Sequence, residues 1–182
     1  MKNKLSDLNN EWQTYLNSCA TQLQEDIHNI LTDKTIKYRS RYHLQDISAL
    51  YFEYEYDYMD IVFWAENKKG DVITDILVLP TQRKDNAITD SKWKSFFPEN
   101  IWREVIELEE SCEDDDFYDL LDEYNEEKTR LFKEWFFNCW NIAANRTENI
   151  PDAYFSIHDT YFRTDLKTGR RINQDEISER YK

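Results

Sequence analysis

The sequence predicts an α+β fold: an antiparallel β-meander packed against amphipathic helices in a single domain. Three observations carry that prediction. Apolar residues recur at helical spacing over residues 6–31, 99–110 and 116–144. Residues 47–80 change to a period of two, with acids alternating against aromatics. Short polar turns join successive strands, which is the pattern of a meander.

Each element follows in order. Leu5, Leu8, Trp12, Leu16, Cys19, Leu23, Ile27 and Ile30 form one stripe, so residues 6–31 are expected to be helical, with Ser6 as N-cap. In "LYFEYEYDY", Glu53, Glu55 and Asp57 face one way and Phe52, Tyr54, Tyr56 and Tyr58 the other. That alternation predicts a strand with one dry and one wet face. "DIVFWAE" is continuously apolar and suits a more central strand. "KKGD" supplies a turn with Gly70 at a positive φ, and "VITDILVL" is the next strand, ending at Pro80. Residues 81–98 read as a loop anchored by Trp93, Phe96 and Phe97. Pro98 opens a helix over 99–110. The longest helix is expected at 116–144, where the apolar stripe pauses at Glu127 and Lys128 and allows a kink. A C-terminal hairpin follows over about 153–174, turning at Gly169, with "QDEISERYK" as a short helix or frayed tail.

The chain has 182 residues, with 6 Trp, 12 Tyr and 10 Phe, enough large rings to close a core despite 33% charged residues. Cys19, Cys112 and Cys139 are scattered and form no CxxC pair, so reduced thiols are expected. "MKNKLSDLNNEW" has no apolar core and no run of eighteen apolar residues occurs, so the expected location is the cytoplasm, without a membrane partner.

Net charge is −14, and it is concentrated. Residues 99–127 hold fourteen acids against one base, Arg103, and sum to −13; the remainder is nearly neutral. The densest part, "CEDDDFYDLLDEYNEE", raises the functional question. A solvated helix face with acids capping the helix start explains part of it. Capping needs one to three carboxylates, whereas Glu109, Glu110, Glu113, Asp114, Asp115, Asp116, Asp119, Asp122, Glu123 and Glu126 crowd together without a lysine between them. Uncompensated repulsion points to an external cation. A basic protein is the favoured one, with Tyr118, which falls off the apolar stripe, as an anchor. Direct binding to nucleic acid is excluded by the same charge.

A metal is less well supplied. The run lacks the loop pattern and central glycine of an EF-hand, and Glu25-x-x-His28 is half of a di-iron motif with no second copy. No cofactor is expected: with only Gly70 and Gly169, no phosphate loop, dinucleotide fingerprint or nucleophile elbow can be written. His158-Asp159 is the most suggestive catalytic pair, because a carboxylate orients an imidazole. It supports an alternative: a small-molecule-binding or hydrolytic domain near the sheet's aromatic face. The basic cluster Arg163, Lys167, Arg170 and Arg171 reads as surface, or as a partner for the acidic run.

The order of elements resembles that of bacterial polymorphic-toxin immunity proteins. The helix comes first, then the aromatic meander "ALYFEYEYDYMDIVFWAENKKGDVITDILVL", the aromatic helix "RLFKEWFFNCWNIA" and the closing "YFSIHDTYFRTD". The resemblance is one of layout and acidity over most of the chain. It implies a small non-enzymatic cytoplasmic binder that neutralises one cognate toxin, often a nuclease. A third expectation, from a different class, is a structural homo-oligomer with an aromatic self-interface.

Overall fold

The computed structural model describes residues 1–32, 47–82, 95–112 and 115–181, without the side chains of Asp115 and Asp116. Their order is α1 (Lys2–Leu31), β1 (Ala49–Tyr54), β2 (Ile61–Glu66), β3 (Leu77–Val78), α2 (Glu99–Glu110), α3 (Asp115–Ala144), β4 (Asp152–Ile157), β5 (Phe162–Asp165), β6 (Arg171–Asn173) and α4 (Gln174–Glu179). One sheet runs β3-β2-β1-β4-β5-β6. All neighbours pair antiparallel except β1 and β4, which are parallel with Phe52 opposite Phe155. The fold is therefore α+β as expected, but the sheet is mixed. A parallel pair needs a long crossover, and the segment carrying α2 and α3 provides it.

α3 lies across one face of the sheet, where Phe136 stacks on Phe155 at 4.1 Å and Phe132 meets Tyr54 edge-on at 5.3 Å. α1 packs along α3. The fully buried Trp12 on α1 stacks with Phe132 and donates its indole N–H to the Phe96 carbonyl at 2.8 Å. Such a ring contributes large apolar area while its one donor stays satisfied. α1 starts earlier than the pattern suggests, at Lys2, so Ser6 is inside it and caps nothing. Phe96 and Phe97 anchor the segment before α2 as expected; Trp93 lies outside the described residues.

The expected wet face of β1 is covered. All six of its residues are buried. Tyr51 stacks on Trp64 and meets Tyr154 at a tilt, and α4 closes over them with Ile177, while the Tyr181 hydroxyl donates to Asp152 at 2.8 Å. α4 is held by a capping box in which Asn173 and Glu176 satisfy each other's backbone N–H groups, so the tail is not frayed. The strand also ends sooner than its alternation implies. Residues after Tyr54 turn back, Met59 adopts φ 50°, and Tyr56 and Tyr58 leave the sheet. "VITDILVL" likewise forms only β3 and one bridge from Val72 to Glu66. Gln82 completes the edge instead: its side-chain amide donates to and accepts from the Ile61 backbone, both at 2.7 Å. Gly70 takes φ 77° in its turn and Gly169 φ 68° in the turn before β6.

α3 runs through Glu127 and Lys128 without a break. The pause in the stripe has another cause. Lys128 points into the core side of the helix, is 5% exposed, and lies over the rings of Tyr56 and Phe97 at 4.9 and 5.2 Å. Ile142, placed on the stripe by its spacing, is exposed.

Candidate functional site

The C-terminal half of α2 and the N-terminal half of α3 form one acidic surface. Helical spacing places Asp119, Asp122, Glu123 and Glu126 within one sector of α3, all exposed. The opposite sector carries the buried Phe117, Tyr124 and Lys128. Tyr118 projects 57% exposed beside the acids, as its position off the stripe implies. Glu109 and Glu110 end α2, where the helix dipole is negative and no basic residue occupies the last turn. Acids there raise the energy of the helix. Helix capping therefore does not account for this pair. Glu113 and Asp114 lie outside the described residues, as do the side chains of Asp115 and Asp116, which begin α3.

Internal neutralisation is partial. Lys2 reaches Glu123 at 2.8 Å and Lys4 reaches Glu104 at 3.6 Å from the start of α1, and Arg130 pairs with Glu127 at 2.6 Å. The Lys2–Glu123 pair is mostly exposed, so water screens it and it contributes at most about 1 kcal/mol. Glu123 is thereby removed from the unbalanced set. Among the described residues, Glu109, Glu110, Asp119, Asp122 and Glu126 have no ion-pair partner within 4.0 Å. The role of α1's two lysines is not legible from sequence, because it depends on how α1 packs across α3.

The His158 region differs from its expected form. Asp159 is displayed to solvent with φ 55° and approaches His158 Nε2 only to 3.5 Å. The orienting carboxylate is Glu53, whose Oε2 lies 3.1 Å from His158 Nδ1. Its other oxygen accepts from Arg163 at 2.6 Å, and the same guanidinium group donates to Ser156 at 2.9 Å. Arg163 thus belongs to a nearly buried ion pair and not to a surface basic cluster. The hydrogen bond to Glu53 raises the His158 pKa above its ordinary 6.5. The unfolded imidazole loses its proton first, so this contact stabilises below pH 6.5 and fades as pH rises through the folded value. We predict a ¹⁵N-monitored titration of His158 centred above 6.5, returning toward 6.5 in Glu53→Gln; an unchanged midpoint in that variant removes Glu53 as the cause. Nearby, burial pushes the Asp60 carboxyl up to about 6. His158 itself stands half exposed at the surface.

The half di-iron motif is otherwise occupied. Glu25 pairs with Arg146 at 2.5 Å, and His28 Nδ1 lies 3.0 Å from the Thr147 hydroxyl. Among the described residues, no three His, Cys, Asp or Glu side chains converge as a metal site would require. The three cysteines are free, and burial pushes the Cys139 thiol up to about 11, away from thiolate chemistry.

No family model matches the chain, and comparison with curated proteins and with solved structures finds no match. Among the described residues, no helix is long and apolar enough to cross a membrane.

Proposed function

We propose that this chain is a non-enzymatic binding protein, an immunity protein that neutralises a cognate toxin by docking its α2–α3 acidic surface onto a basic domain. One observation carries the reading. Five carboxylates, Glu109, Glu110, Asp119, Asp122 and Glu126, stay unbalanced by the described residues around an exposed Tyr118. Clustered like charge destabilises the free protein and speeds encounter with an opposite surface. A tyrosine at such a position supplies rigid apolar contact with a polar tip. The hydrolytic alternative needs His158 in a cleft, and its imidazole is instead spent on Glu53 at the surface.

Pull-down with toxins encoded beside this gene tests the proposal. Changing Glu109, Glu110 and Glu126 to Gln, with Asp119 and Asp122 to Asn, should weaken binding by at least about ten-fold and flatten its salt dependence. Tyr118→Ala should raise the dissociation rate with little change in salt dependence. Equal affinity and an equal salt slope in the five-fold variant would show that the surface takes no part.

A further inference from the structure

A cleft of about 320 Å³ opens between the turn after β1, α2 and α3. The buried Phe97 and Tyr124 line its base and Trp102 and Val105 its apolar wall. The exposed Asp57 and the half-buried Glu109 mark its mouth. Lys128 lines it as well, although it is 5% exposed. The ammonium group faces two ring planes and has no ion-pair partner within 4.0 Å among the described residues, although the Asp57 carboxylate at the mouth acts on it from farther off and favours its charged form. The Tyr124 hydroxyl is buried without a hydrogen-bond partner among the described residues.

A buried lysine whose nearest carboxylate lies beyond ion-pair distance costs stability, and a buried hydroxyl without a partner adds to that cost. Both are donors, and both call for an acceptor. Cation–π contact with Tyr56 and Phe97 offsets the lysine only in part, by roughly 1–2 kcal/mol. An anionic oxygen beside Lys128 would neutralise it in a site where water competes little. The flat walls fit an apolar body, and the volume, at the small end of ligand cavities, fits a single ring. The two acids at the mouth repel a second negative charge and favour a positive one.

We propose that the α2–α3 cleft binds a small aromatic carboxylate whose outer end is neutral or cationic, with Lys128 as its counter-ion. The site does not depend on the toxin reading, and Glu109 alone is common to the two.

Calorimetric titration of the full chain tests this with four probes. Benzoate should bind saturably and 4-(aminomethyl)benzoate more tightly. Terephthalate, with a second carboxylate, and benzylamine, with none, should bind at least about ten-fold more weakly than benzoate. Lys128→Met keeps the apolar packing of the stem and should abolish benzoate binding. In the unaltered chain, the Lys128 ε-carbon titration followed by NMR should move to higher pH when benzoate is present, because the carboxylate favours the ammonium form. Equal binding of benzylamine and benzoate, retention of benzoate affinity in Lys128→Met, or an unmoved Lys128 midpoint would each overturn the assignment. The last measurement needs no variant, so it stands if Lys128→Met does not fold.

Discussion

Replacing Arg163 with leucine is expected to destabilise the protein by about 3 kcal/mol. Glu53 and Arg163 are only 11% and 14% exposed at their side chains and bond at 2.6 Å. Removing the guanidinium group leaves a buried carboxylate with His158 as its remaining charged contact. The stacking of Arg163 over Tyr51, at 5.0 Å, is lost too. His158 moderates the damage only while it is protonated, so the loss should be larger above its titration range than below it. Urea denaturation on both sides of that range measures this. Adding Glu53→Gln to Arg163→Leu should recover part of the loss, since no buried charge then remains unpaired. A double variant no more stable than Arg163→Leu would mean that packing, not charge, dominates.

Lys128→Met should act in the opposite direction and stabilise the fold by roughly 1–3 kcal/mol near neutral pH. Burial lowers the Lys128 pKa from 10.5 to about 8. The folded chain therefore loses this proton more easily than the unfolded chain. Below pH 8 the full cost of the buried ammonium is present. Between pH 8 and 10.5 the unfolded state binds more protons, so this group makes stability rise with pH across that window. Tyrosines complicate its upper end: Tyr51, Tyr54 and Tyr124 are raised by burial above 10.0, so unfolded tyrosines ionise first and stability falls there. The comparison belongs between pH 8 and about 9.5, where the parent should gain stability relative to Lys128→Met. A constant difference between the two proteins across that range would place Lys128 in contact with solvent. A lysine retained where methionine is more stable fits the ligand role proposed for the α2–α3 cleft, because binding sites commonly hold groups that lower stability.

Periodicity disclosed the elements whose neighbours are apolar and uniform. α1, α2 and α3 are each governed by one stripe, and the turn at Gly70 by a backbone need that sequence expresses directly. Pairing across the sheet was less accessible. Nothing in "YFSIHD" says that it aligns with β1 in parallel, because that depends on the route of the intervening chain. The short α4 is legible as a helix, since Ile177 and Tyr181 repeat at helical spacing. What the sequence does not express is that this helix docks on the sheet and covers the face that carries Glu53. Within the acidic surface, the exposure of Tyr118 and the carboxylates followed from helical phase. The partial neutralisation by Lys2 and Lys4 did not, since those residues are more than a hundred positions away from Glu123 and about a hundred from Glu104. Lys128 announced itself as a gap in the stripe, and the gap has the ordinary sequence signature of a kink.

The parallel register of β1 on β4 sets a timetable for synthesis. Leu50 aligns with Ala153, roughly a hundred residues downstream, so the central strand has to wait for all of that intervening chain. Until residue 157 has emerged from the ribosome, the aromatic strand β1 lacks its inner neighbour. A nascent chain halted anywhere in α3 would carry an unfinished, sticky edge, and the residues from β4 onward decide whether the rest becomes a protein.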